Sequence, residues 1–460
     1  MNIKRTEFDS LGPKKIEKTK LWGPQTQRSL ENFKIGSEKM PREFIIALGY
    51  QKKASALANV ELGKLDKKLG KLISESCDQI INAKLINEFP LSIWQTGSGT
   101  HTNMNLNEVI SNYCIKKIKG KIGSKTPVHP NDHVNLSQSS NDVFPTAMHI
   151  AAKLEFNNKL IKNIDYLINS LEIKIKTFKN IIKIGRTHTQ DATPLTLKQE
   201  FSGYLEQIKN NKKRLLISVS ELSYLAQGGT AVGTGINAPK NFDKVFCKHL
   251  SKITKNKFYP AKNKFETIAA HDALVNFSSG LNLLATSLFK ISNDIRFLSS
   301  GPRSGLAEII LPENEPGSSI MPGKINPTQI EALSMVCLQI MGNHTSVNFA
   351  GSQGHFELNT FKPLIIFNVL QSIRLLSDSI NSFTKNCLVK IKANKKMIKK
   401  HLNNSLMLVT ALNSKIGYDN AAKVAKKAHK EGITLKKAVL DLKMMSEKEF
   451  DKIIQPKKMI

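Results

Sequence analysis

Arginine is scarce in this chain: of its 68 basic residues only eight are arginine, and 60 are lysine. The scarcity matters because the formal net charge is +31, which alone would suggest a polyanionic partner. Nucleic-acid surfaces depend on arginine for bidentate base and phosphate contacts, and they usually add aromatic stacking. Here the lysines are scattered through every expected helix, beside abundant asparagine and isoleucine. That pattern reads as a drift of the whole composition, and no nucleic-acid partner is expected.

Cysteine is sparse as well. The five residues Cys77, Cys114, Cys247, Cys337 and Cys387 lie at least 37 positions apart, with no C-x-x-C and no Cys-His cluster. This spacing excludes the usual zinc and iron-sulfur frameworks and argues against a disulfide scaffold, leaving buried, reduced thiols. No metal and no cofactor are expected. No window approaches eighteen uninterrupted apolar residues, so no membrane span is expected. The opening "MNIKRTEFDSLG" lacks the apolar stretch and cleavage site of a secretory signal, which points to a cytoplasmic location.

What the sequence does contain is helical periodicity. Leu274, Leu281, Leu284, Leu288, Ile291, Ile295 and Leu298 recur at spacings of three, four or seven. Three further seams follow the same rule: Leu160 to Phe178, Phe201 to Leu222, and Ile366 to Phe383. Seams of this kind suit near-antiparallel helix packing, so the fold class is all-α with a long central bundle. A rod of about 35 residues would run roughly 50 Å and bury apolar surface on more than one side, favouring subunit association. The expected division is 1–139, a mixed domain of short helices and loops; 140–390, the long-helix bundle; and 391–460, a small helical domain broken at Gly417 and Gly432.

Four stretches set polar residues and glycines between helices. In "WQTGSGTHTNMNLNEV", residues Gly97, Ser98, Gly99 and Thr100 can offer N–H groups and hydroxyls to an anion, or simply open a helix. In "VHPNDHVNLSQSSNDVFPTAMH", the "HPND" segment can form a turn and "SSND" can cap a helix beginning near Val143. Together they crowd more hydrogen-bonding side chains than a structural loop needs. In "KIGRTHTQDATPLTLKQEF", Thr193-Pro194 suits a helix start, which leaves Arg186, Thr187 and His188 without a structural reason. In "ENEPGSSIMPGKINPTQIEAL", Lys324 and Asn326 can hold a carboxylate, and Ser318 and Ser319 offer hydroxyls. Gly317 and Gly323 let the loop close, and Glu331 falls in the helix after Pro327.

These four stretches, in this chain order, resemble the conserved regions of the fumarase/aspartase superfamily, with "GSSIMPGKINPTQIEAL" as its signature loop. The likeness runs on through "SLMLVTALNSKIGYDNAAKVAKKAHKEG" and covers almost the whole chain. His188, Ser98 and Ser140 are similar to the class II, metal-free fumarases, where aspartases tend to carry Gln, Ala and Thr. An ammonia lyase acting on aspartate is therefore the alternative enzyme.

The resemblance implies reversible hydration of fumarate to (S)-malate in a homotetramer built on a shared helix bundle. It implies Ser318 as base, and His188 paired with Glu331 handling the hydroxyl through a water. Ser98, Gly99, Thr100, Ser139, Ser140, Asn141, Thr187, Ser319, Lys324 and Asn326 would bind the dicarboxylate. His129, Pro130, Asn131 and Asp132 match an outer anion site of the family. Some relatives have an arginine three residues before that histidine, where this chain has Thr126.

Overall fold

A computed structural model describes residues 3–460, so the first two positions of the amino-terminal segment lie outside the described residues. The described residues are mostly helical, with four small two-stranded sheets among them. Residues 1–162, 212–285 and 337–377 form one compact unit, and 163–211, 286–336 and 378–460 form another.

The first unit opens on an antiparallel hairpin, Lys4–Asp9 with Gly12–Glu17, where sequence reasoning expected short helices and loops. Helix Arg42–Glu61 packs against helices Lys67–Ile81, Ser140–Glu155 and Phe242–Thr254. Its apolar residues Phe44, Ile45 and Leu48 are fully buried, and the Phe44 ring lies 4.6 Å from that of Phe144. Helix Ser140–Glu155 begins with a reciprocal capping box: the Ser139 hydroxyl accepts the Asn141 N–H, while the Asp142 carboxylate accepts the Ser139 N–H. Two donors at the helix start are thereby satisfied, which explains why "SSND" opens this helix three residues earlier than Val143.

In the second unit, strands Ile182–Thr187 and Gln190–Thr196 pair antiparallel. Thr193-Pro194 thus lies in a strand, and the helix expected there starts at Leu197. Both strands of a two-stranded ribbon are edges, so a proline without an N–H donor is tolerated. The true helix start is organised by Thr196, whose N–H and hydroxyl both meet the Gln199 side-chain oxygen. Strand Ile182–Thr187 packs on helix Lys395–Asn404, and Ile182 joins the cluster built on Leu408, Leu412, Val424 and Val439. Helix Tyr418–Glu431 ends at Gly432, which takes the left-handed φ of 63° that favours glycine.

The seams are buried as the periodicity demands. Every residue of the Leu274–Leu298 seam is at most 6% exposed, and Phe201, Tyr204, Ile208, Leu215 and Leu222 are equally hidden. Burying each such side chain contributes about 1.5–3 kcal/mol. The rods are shorter than expected: the longest, Asp272–Leu298, has 27 residues, or about 40 Å. Ala270 leaves helical geometry just before it, ending the short helix Lys264–Ala269. The same rods carry large apolar residues on their outer sides: Met335, Leu338 and Phe349 of helix Thr328–Gly351 are 67%, 55% and 66% exposed.

All five cysteines are buried free thiols. Burial pushes Cys114, Cys337 and Cys387 up to about 12, so none is a ready nucleophile. No helix of the described residues is long and apolar enough to cross a membrane. Among those residues no group of three or more His, Cys, Asp or Glu side chains could hold a metal ion.

Candidate active site

Two of the four motifs meet in the first unit. Gly99 sits at the left-handed φ of 78° immediately before helix Thr100–Lys117. A Cβ there would stand 2.1 Å from the Phe144 ring, so glycine is needed for both conformation and space. Gly97 is tighter still: an added Cβ would lie 1.5 Å from the Thr360 carbonyl oxygen, and its own carbonyl accepts the Lys362 N–H. The Ser98 and Thr100 hydroxyls lie 2.9 Å apart at the helix N-terminus. The Gly97–Thr100 segment therefore opens a helix and also sets two hydroxyls at the positive end of its dipole.

One turn into that helix, Asn103 donates from Nδ2 to the Ser140 hydroxyl at 2.8 Å. This bond joins the first motif to "SSND". Asn141 donates from Nδ2 to the Ala231 carbonyl at 2.8 Å, which leaves its second N–H for another acceptor. Asp142, fully buried, accepts from the Gln227 side chain and from the N–H groups of Gly228 and Thr230. Burial raises its carboxyl to about 6, against those hydrogen bonds.

The "HPND" segment forms one wide helical turn, Pro130–Val134. His129 Nδ1 accepts the N–H groups of Asn131 at 3.2 Å and Asp132 at 3.1 Å. Its Nδ1 therefore carries no proton, and burial lowers its affinity for a second one. The Asn131 and Asp132 N–H groups are thus both engaged by the imidazole. Pro130 is buried, and the Asn131 and Asp132 side chains are exposed.

In the second unit, Thr187 pairs with Gln190 across a two-residue turn made by His188 and Thr189, at φ of 55° and 61°. Such turns match the twist of a hairpin but are uncommon for non-glycine residues, so the tip is held by what lies beneath it. Arg186 reaches Glu308 at 2.8 Å, and the buried Lys183 reaches both Glu308 at 3.1 Å and Glu200 at 2.9 Å. The imidazole of His188 is exposed at the tip.

The signature loop folds on itself. Gly317 N–H donates to the Lys324 carbonyl at 3.0 Å, and the Asn326 side chain donates to the Gly317 carbonyl. A Cβ on Gly317 would stand 2.3 Å from the Lys324 oxygen. Within this closed loop the Ser318 hydroxyl oxygen accepts two backbone N–H groups, from Ile320 at 3.2 Å and Met321 at 2.9 Å. Ser319 and Lys324 are exposed, and Glu331 lies in the first turn of helix Thr328–Gly351.

Among the described residues no hydrogen bond or ion pair joins Thr187 or His188 to the 313–331 segment, and His188 does not reach Glu331 in one chain. Sequence reasoning missed Lys52, Asn103 and Glu308. Lys52 and Glu308 look like ordinary members of lysine-rich or mixed helical stretches, and only their burial distinguishes them. Asn103 lies inside "WQTGSGTHTNMNLNEV", and its helical offset from Thr100 was the available signal.

Helical rods thus end in polar loops, one of them holding a serine whose hydroxyl oxygen accepts two N–H groups. A family profile described as Lyase matches residues 12–342, and one described as Fumarase C C-terminus matches residues 408–460. The Rickettsia bellii protein named fumarate hydratase class II is 58% identical over 456 residues, covering 99% of this chain and 98% of that one. The Saccharomyces cerevisiae protein named mitochondrial fumarate hydratase is 57% identical, covering 99% and 94%. A crystal structure of class II fumarase from Schistosoma mansoni superposes with a TM-score of 0.97 at 44% identity, covering 99% of both chains. The chain belongs to the class II fumarate hydratase family.

Proposed function

We propose that this chain adds water reversibly to fumarate, giving (S)-malate, with Ser318 as the base. The observation that carries this is the pair of N–H groups on the Ser318 oxygen. A free serine is far too weak an acid to supply an alkoxide, and two fixed donors lower the cost of the negative oxygen. In the dehydration of malate the alkoxide takes the proton on the carbon beside a carboxylate. The remaining electron pair spreads into that carboxylate, so the dianion gains a further charge. Lys324 supplies a full positive charge there, with Asn326, Thr100, Asn141 and Thr187 as hydrogen-bond donors. The Ser98, Gly99, Ser139, Ser140 and Ser319 positions complete the dicarboxylate cradle. His188, paired with Glu331, passes a proton through a bound water to the departing hydroxyl, which leaves as water.

We infer further that each site combines three chains of a homotetramer. Support comes from the lone His188 and Glu331 in one chain and from the apolar Met335, Leu338 and Phe349 left outside the fold. In this reading 1–139 and 391–460 flank a 140–390 segment that forms the shared bundle, and the enzyme works in the cytoplasm without metal or cofactor. The outer anion site at His129 to Asp132 takes no part in catalysis.

Loss of fumarate and loss of aspartate, followed side by side in the ultraviolet with and without a chelator, test the reading. Fumarate turnover unaffected by the chelator is expected. Faster ammonia release from aspartate would contradict it.

A further inference from the structure

Beneath the Ser140 and Asn141 positions lies a buried polar cluster that the proposed chemistry does not use. Gln51, Lys52, Asn103, Gln227 and Asp142 are all completely buried. A lysine at 0% exposure is rare unless its ammonium is fully partnered, and here it faces no carboxylate directly. Its Nζ lies 2.9 Å from Asn135 Oδ1 and 3.0 Å from Gln138 Oε1.

We propose that Lys52 is a positioning residue for substrate binding, fixing the direction of donation along two buried hydrogen-bond chains that end at Ser140 and at Asp142. The donor and acceptor roles along both chains are forced. A lysine only donates here, so Asn135 and Gln138 must both turn their oxygens toward it. Gln138 agrees from its other end, where Nε2 donates to the carbonyls of Val134 and Leu136 at 3.1 and 2.9 Å. With Asn135 showing an oxygen, Asn103 must offer it an N–H, and it does so at 3.3 Å. The same Nδ2 donates to the Ser140 hydroxyl at 2.8 Å. With an acceptor site of that hydroxyl filled, its own proton is free to point outward, toward an anion.

The second chain has the same polarity. Gln51 Nε2 donates to Gln138 Oε1 at 3.0 Å and to Gln227 Oε1 at 2.7 Å. Gln227 Nε2 in turn donates to the Asp142 carboxylate at 3.0 Å. Asp142 also gathers the Gly228 and Thr230 N–H groups, which sets the backbone whose Ala231 carbonyl holds Asn141. Reversing one amide would place two oxygens or two N–H groups face to face within this buried cluster. Burial pulls Lys52 down to about 7, against the charge of Asp142. The ammonium can only donate, and the neutral amine, though it gains one lone pair, keeps two N–H groups for its two oxygen neighbours.

This inference rests on the reading that Ser140 meets the substrate, and the test separates the two. Four proteins are compared with the parent: Ser140→Ala, Lys52→Met, Asn103→Asp and the Lys52→Met/Ser140→Ala double variant. Tetramer content, kcat, KM for fumarate and the inhibition constant of succinate, a dicarboxylate that cannot react, are measured for each. Ser140→Ala should raise KM and the succinate constant about tenfold, the worth of one hydrogen bond to a charged group. Lys52→Met should raise them by a similar factor while kcat changes much less, because the groups that move protons are untouched. The double variant should be no worse than either single one, since both remove the same contact. Asn103→Asp replaces a donor with an acceptor of equal shape, so the Ser140 proton turns inward and both constants rise.

If Lys52→Met does not assemble, Asn103→Asp decides alone. A normal KM in Lys52→Met and Asn103→Asp beside a raised KM in Ser140→Ala overturns the inference and leaves the reading of Ser140 intact. Additive effects in the double variant also overturn it. A normal KM in Ser140→Ala removes Ser140 from the site and the inference with it.

Discussion

The backbone N–H of Met321 points at the Ser318 hydroxyl oxygen from 2.9 Å, three residues further along a loop closed on itself. That relationship makes serine, normally inert, a candidate base. Replacing Ser318 with alanine should lower kcat by about 10²–10⁴-fold and change KM little, because a base acts in the transition state. Steady-state rates in both directions check this. A near-native kcat would move the base elsewhere, with His188 the next residue to examine.

The loop depends on Gly317. Its Cβ would lie 2.3 Å from the Lys324 carbonyl that closes the loop, although its φ is not in the left-handed range. Gly317→Ala should therefore misplace Ser318 and Lys324 and cost on the order of 10²-fold in kcat/KM. The loop contributes little core, so stability should change by no more than about 0.5 kcal/mol. Paired activity and urea-unfolding measurements distinguish this from general damage.

Glu308 is a different kind of position. Its buried carboxylate holds both Arg186 and Lys183 at the base of the hairpin that carries His188. Glu308→Gln removes the anion that Arg186 and the buried Lys183 share, leaving Lys183 with Glu200 alone, and should cost about 3 kcal/mol, seen as a lower urea midpoint. Because the strained His188-Thr189 turn rests on this network, kcat should fall as well. A stable and fully active variant would show that the hairpin is held by packing alone.

His149 is one source of pH dependence in the stability. It is buried, donates from Nδ1 to the Tyr224 carbonyl at 2.9 Å, and burial lowers its pKa from 6.5 to about 4. A base depressed in the folded state stabilises the protein above its unfolded pKa and loses that contribution as pH falls through the folded value. The stake is on the order of 3 kcal/mol, lost between pH ~6.5 and ~4. Tm measured across that window should drop more steeply in the parent than in His149→Gln, whose amide can still donate to Tyr224.

Much of this was readable in the sequence, for reasons that differ by element. The Leu274–Leu298 seam announces a buried face because helical period and burial share one geometry. The cap in "SSND" is legible because a capping residue and its helix are neighbours in sequence, although the box of Ser139 and Asp142 opens the helix at Ser140 and not near Val143. Thr193-Pro194 misled, since the same dipeptide suits a helix start and an edge strand, and only pairing with Ile184 decides between them. Lys52 gave no signal at all. It is one of 60 lysines, and its role depends on Asn135 and Gln138, more than eighty positions away.

In the proposed tetramer no single chain holds a complete site. In one chain His188 stands at the tip of its hairpin without Glu331, and Ser318 lies in a separate loop. The direct measurement uses Ser318→Ala and His188→Asn proteins, each inactive alone, unfolded together and refolded as a mixture. If sites draw the Asn141, His188 and Ser318 regions from three chains, some hybrid tetramers contain sites in which every region is native. Fumarate turnover should then appear in the mixture and rise with the fraction of hybrids. Hybrid tetramers confirmed by mass but devoid of activity would show that each site belongs to one chain.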